Sequence, residues 1–168
     1  MRRLLKGIKW QVVILTFAVA FGGLFIGFQI YQNKLIPERI SRDLKSVKFV
    51  KDVTIIAGDK GYDVKVKLDR VENLMETYGE IQEKIKKYPV KINLFILDNS
   101  DERLNNVYYN LQFALYEAIQ KGDYLKMYDF VKELSQENGI TSHVYIDEHN
   151  IYIDLRDDSH YLYKVIAR

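Results

Sequence analysis

At 168 residues the chain has room for one membrane helix and one domain of ordinary size. It contains no cysteine, which excludes disulfides, a thiol nucleophile and a lipid anchor on cysteine. The net charge of +2 is unevenly placed: all 23 acids lie from Lys34 onward, where 21 Lys and Arg, Lys34 included, leave a balance of −2. Bulk charge therefore gives no support to a nucleic-acid surface, and no nucleic-acid partner is expected.

Residues 1–9 carry Arg2, Arg3, Lys6 and Lys9 with no acid nearby. From 10 to 33 there is no charge at all. At 1.5 Å per residue such a helix reaches roughly 36 Å, enough to cross a hydrocarbon core of about 30 Å with some tilt. A transmembrane helix is expected over 10–33, with Trp10 and Tyr31 at the two interfaces. A cleaved signal peptide is the rival, because Ala18-Val19-Ala20 reads as a small-x-small site. The apolar run continues past it through Phe21, Leu24, Phe25, Ile26 and Phe28, which favours an uncleaved anchor.

The crowded basic flank predicts a cytoplasmic N-terminus (1–9) and an extracytoplasmic domain (47–168), joined by a juxtamembrane helix or linker over 34–46. Within the span, Gly23 and Gly27 form G-x-x-x-G, and Ala18 with Gly22 repeats the spacing. Such small residues let two helices approach closely and form a candidate helix-pairing face.

Pro37 is expected to kink or stop the membrane helix at Ile36, with a short helix restarting over 38–47. An extended stretch over 47–57, the turn Gly58-Asp59-Lys60-Gly61 and the alternation of Tyr62, Val64, Val66 and Leu68 with charged residues predict a β-hairpin. Asp69, followed three places on by Glu72, predicts a capped helix with a stripe of Val71, Leu74, Met75, Tyr78, Ile81 and Ile85. A strand over 90–97 has apolar residues on both faces, which predicts a central place in the sheet.

Two helices follow, marked by Leu104, Val107, Leu111, Leu115 and by Met127, Val131, Leu134, with Gly122 between them and Asn138-Gly139 as the stop. Alternation over 144–147 and 151–156 closes the chain with two strands, and 161–166 can add a third. The prediction is an α+β fold: the transmembrane helix, then a compact α-β-β-α-β-α-α-β-β domain with one mostly antiparallel sheet and helices on one face.

No residue pattern carries a catalytic, cofactor or metal signature. The glycines at 58 and 61 lack the phosphate-loop spacing. Ser142-His143 and Ser159-His160 are sequence neighbours, which on a strand point to opposite faces. His143, His149 and His160 lie among acids, but His149 and residues 157–160 fall on turns roughly 20 Å apart at opposite ends of one strand.

Thirteen tyrosines, all from Tyr31 onward, are the compositional oddity. Tyr145 and Tyr152 fall opposite Val144, Ile146, Ile151 and Ile153, which predicts an outward aromatic face suited to a partner. The expected role is a single-pass anchored interaction or assembly domain, in contact with the lipid bilayer and with a protein partner or further copies of itself. The alternative is a tethered ligand-binding or hydrolytic domain of the cell envelope. It needs a tyrosine-lined hollow between the helical pair and the sheet.

Overall fold

The computed structural model describes residues 9–58 and 61–168. Arg2, Arg3 and Lys6 of the expected basic flank, and Asp59-Lys60 of the expected hairpin turn, lie outside them. The chain divides into two compact units, Met1–Ile40 and Ser41–Arg168.

The first unit is dominated by helix α1, Trp10–Ile30. It is long and apolar enough to cross a membrane, and its Trp10–Phe28 stretch is not buried, unlike the core helix of a soluble domain. Its one hydroxyl, Thr16 Oγ1, donates to the Val12 carbonyl at 2.8 Å, so no polar group is left bare on the helix surface there. Pro37 does not end the helical path. The irregularity comes earlier, as a π-helical turn over Tyr31–Leu35, and α2 follows at Ile36–Lys45. The Ile36 N–H reaches back five residues to the Tyr31 carbonyl. That wider turn relieves the clash which a proline ring makes with a carbonyl in a regular α-helix.

The second unit is mixed α+β. The element order expected from sequence is present, with the additional final strand: β1 Val50–Gly58, β2 Gly61–Leu68, α3 Leu74–Ile85, β3 Ile92–Leu97, α4 Glu102–Lys121, α5 Tyr124–Glu137, β4 Thr141–Ile146, β5 Asn150–Arg156 and β6 Tyr161–Ala167. The expectation of one sheet is corrected. There are two three-stranded sheets, β1-β2-β3 and β4-β5-β6. β1 and β2 are antiparallel, β2 and β3 parallel, and both pairs of the second sheet antiparallel.

Among the described residues the two sheets meet at one bridge, where Asn99 and Tyr161 exchange backbone hydrogen bonds of 3.1 and 3.3 Å. β3 is accordingly an edge strand, and the central place predicted for it is wrong. Its Phe95 and Leu97 side chains remain exposed while Ile92, Leu94 and Ile96 are half-buried. Apolar residues on both faces of a strand do not distinguish a covered strand from one with an open, partly apolar face.

The start of α3 is also corrected. The cap is Asn73, not Asp69: its side chain accepts from the Met75 N–H at 3.0 Å and donates to Glu76 at 2.9 Å. Asp69 is unavailable because its N–H continues the strand pairing to Phe49 at 2.8 Å and its carbonyl accepts from the Tyr163 hydroxyl.

One core lies between the α4–α5 hairpin and the second sheet. Leu104, Val107, Leu111, Leu115, Met127 and Val131 close on Ile151, Ile153, Leu155 and Leu162. Gly122, in the left-handed region at φ 72°, makes the reversal between the helices, and Asp123 caps α5 through the Lys126 N–H. The opposite face of β5 is covered too: Tyr152 meets Tyr78 of α3, ring edge to ring at 5.7 Å. Helices therefore flank the second sheet on both faces rather than on one.

Candidate interaction surfaces

The aromatic face of the second sheet is the first candidate. Tyr152 is only 2% exposed, and its hydroxyl donates to the Asp147 carboxylate at 2.6 Å. The expected outward surface at Tyr145 and Tyr152 is corrected at Tyr152, because α3 covers that side. Tyr145, its cross-strand partner, is half-buried. Burial, with the Asp147 charge adding to it, pushes the Tyr152 phenol up to about 12, and the same hydrogen bond holds Asp147 below the usual carboxylate range.

The remaining tyrosines of this face serve as polar joints between the two sheets. Tyr161 donates to the Leu68 carbonyl at 2.9 Å. Tyr163 donates to the Asp69 carbonyl at 3.1 Å and accepts from the Val71 N–H at 3.0 Å. Arg156 donates to the Val71 carbonyl, and Arg70 reaches the Asp157 and Asp158 carbonyls. Tyrosine here supplies apolar body and hydrogen-bonding tip together.

A charged centre lies on the same face. Asp154 is fully buried and bonded by the Arg156 guanidinium through both carboxylate oxygens. Burial pushes the Asp154 carboxyl upward, and Arg156 works against that rise. His143 lies across the strand pair, with Nδ1 at 3.8 Å from Asp154 and no hydrogen bond of its own. The group is a buried ion pair with a neighbouring imidazole.

His160 stands between two carboxylates, 3.6 Å from Asp101 and 3.6 Å from Asp157. Their ligand-type atoms lie within 4.8 Å of one another. Both acids are already engaged in local structure. Asp101 caps α4 through the Leu104 N–H, and Asp157 accepts the Ser159 and His160 N–H groups. Those backbone bonds hold Asp157 below its ordinary range, and the positive charge of Arg103 acts on it as well. Through His160 the cluster links the cap of α4 to the β5–β6 turn. The turns at 147–150 and 157–160 do sit at opposite ends of β5, as the sequence implies.

A further exposed apolar surface lies on the outside of the α4–α5 hairpin. Tyr109, Phe113 and Tyr116 follow one another at i, i+4 and i+7 on the side of α4 away from its buried stripe, and Phe113 is 69% exposed. Tyr109 and Phe113 pack edge to face at 6.0 Å. Beside Phe113 runs a groove of about 380 Å³ between the helices, with Ala114, Ala118, Met127 and Phe130 among its lining and Glu117, Lys121, Asp123 and Lys126 at its rim. Among the described residues, the space between hairpin and sheet is occupied by the core side chains. Sequence reasoning passed over Phe113 and Phe130. The signal was a second apolar stripe on α4, displaced from the Leu104–Leu111–Leu115 stripe.

On α1, a side chain added at Gly22, Gly23 or Gly27 would meet nothing within 4 Å, so the small-residue face with Ala18 is open. No family model, curated protein or solved structure matches this chain.

Proposed function

We propose that this is a single-pass membrane protein, anchored by α1 with its N-terminus in the cytoplasm, whose extracytoplasmic α+β domain is an interaction or assembly module. The observation that carries the reading is the placement of its exposed rings. Tyr152, Tyr161 and Tyr163 of the second sheet are engaged in holding the domain together, whereas Tyr109, Phe113 and Tyr116 are exposed on a helix surface. An uncovered aromatic surface of this kind marks a contact site. The Trp10–Phe28 stretch supports the anchor through its length, its lack of charge and its exposed apolar side chains.

Crosslinking of the native membrane form followed by affinity capture in mild detergent tests the proposal. A reproducible protein partner or a homo-oligomer is expected. Recovery of monomer alone, under conditions that preserve other membrane complexes, would refute it. Topology is checked separately with single cysteines introduced into the cysteine-free chain and a membrane-impermeant thiol reagent: Asp158→Cys should label from outside intact cells.

A further inference from the structure

We propose that the occupant of the α4–α5 surface is the same surface of a second copy of this chain, the two hairpins packing about a two-fold axis. The inference rests on the reading of the domain as an assembly module and names its partner.

Three features favour a copy of the chain over another occupant. The first is shape. A two-fold contact is self-complementary, so each copy must present both a projection and a recess on one face. Phe113 projects immediately beside a groove floored by Ala114 and Ala118, small residues one helical turn apart. A ring from one copy can enter the groove of the other while its own groove receives the reciprocal ring.

The second is area. Rings of 150–250 Å² exposed to the extent of Tyr109, Phe113, Tyr116 and Phe130 supply roughly 450 Å² of mostly apolar surface. A homodimer interface is about 65% apolar, so the full footprint comes to roughly 700 Å². A standard interface takes about 800 Å² from each partner.

The third is charge. The groove rim holds Glu117 and Asp123 with Lys121 and Lys126, and Glu117 and Lys121 already pair at 2.6 Å. A rim of one sign would repel its own copy across a two-fold axis; a balanced one does not. Over 102–137 six acids face four bases, which disfavours an anionic lipid surface. Confinement of anchored copies to one membrane raises their effective concentration further.

The test uses the full chain reconstituted in detergent and in nanodiscs, with sedimentation and a lysine-reactive crosslinker as readouts. Wild type is expected to be dimeric, with crosslinked peptides joining Lys121 or Lys126 of two copies. Phe113→Asp should weaken the dimer at least tenfold and abolish those crosslinks while the monomer keeps its far-UV circular dichroism, since the ring is exposed. Ala114→Trp, which fills the groove from within, should do the same.

A dimer that survives both variants overturns the proposal, as does one lost only on Gly23→Ile in α1; either result leaves the assembly reading standing. A monomer that captures a different protein also overturns this inference alone. A monomer with no partner under any condition overturns both.

Discussion

The hydroxyl of Tyr163 and the backbone of Val71 are joined by a buried hydrogen bond of 3.0 Å, across 92 positions of sequence. The same hydroxyl donates to the Asp69 carbonyl, so one side chain from the last strand satisfies a donor and an acceptor of the loop that leads into α3. Tyr163→Phe keeps the ring and removes both bonds. The buried Val71 N–H is then unpaired, at a cost of about 1–3 kcal/mol. Urea unfolding should show a lower midpoint with an unchanged slope; an unaltered midpoint would mean the joint contributes nothing.

Alkaline pH should loosen the same region. Tyr152 and Tyr163 are each pushed up to about 12 from the ordinary 10.0, mainly by burial. Their neutral forms therefore favour the folded state, fully so below pH 10.0, and this contribution is lost as pH rises through about 12. Thermal melts from pH 9 to 12 should show Tm falling most steeply above pH 10. Absorbance titration should find a late-ionising group of tyrosines that disappears on unfolding.

The Asp154–Arg156 pair predicts an asymmetric response. Arg156→Met leaves a fully buried carboxylate without its cation and should cost about 3–5 kcal/mol. The double variant Asp154→Asn/Arg156→Met removes the stranded charge and should recover part of that loss. Chemical denaturation of the four combinations measures the coupling, and a double variant less stable than Arg156→Met would contradict the account.

Gly61 is fixed by space as well as by backbone angle. Its φ is +153°, and a Cβ there would lie 2.1 Å from the Lys91 carbonyl oxygen, the atom to which Tyr62 N–H donates at 2.9 Å. Gly61→Ala should displace the start of β3 from β2 and destabilise the domain by more than about 1 kcal/mol. Gly79→Ala is the control: nothing lies within 4 Å of its Cβ, and helix propensity predicts a gain of about 0.5–1 kcal/mol.

What could be read in advance was local. Alternation from Tyr62 to Leu68 marks β2, and Gly122 with Asp123 marks the hairpin reversal, because each is decided by neighbours in sequence. The errors arose where distant partners decide. Asp69 has the chemistry of a cap, yet Phe49 and Tyr163 claim its backbone, and the cap passes to Asn73. Tyr152 sits on the face opposite to Ile151 and Ile153, as alternation requires, but only the position of Tyr78 reveals that this face is covered. Tyr109, Phe113 and Tyr116 share a helical spacing in the sequence, but their exposure depends on which side of α4 the sheet takes.

The single bridge between Asn99 and Tyr161 has a consequence for cooperativity. Ordinary sheets transmit order from strand to strand along a continuous ladder, whereas these two share one rung. All-or-none unfolding of the domain must therefore draw heavily on Tyr161, Tyr163, Arg156 and Arg70, whose side chains grip backbone carbonyls on the opposite side of the seam. Weakening that grip would let each sheet open on its own, turning one folding unit into two that merely adjoin.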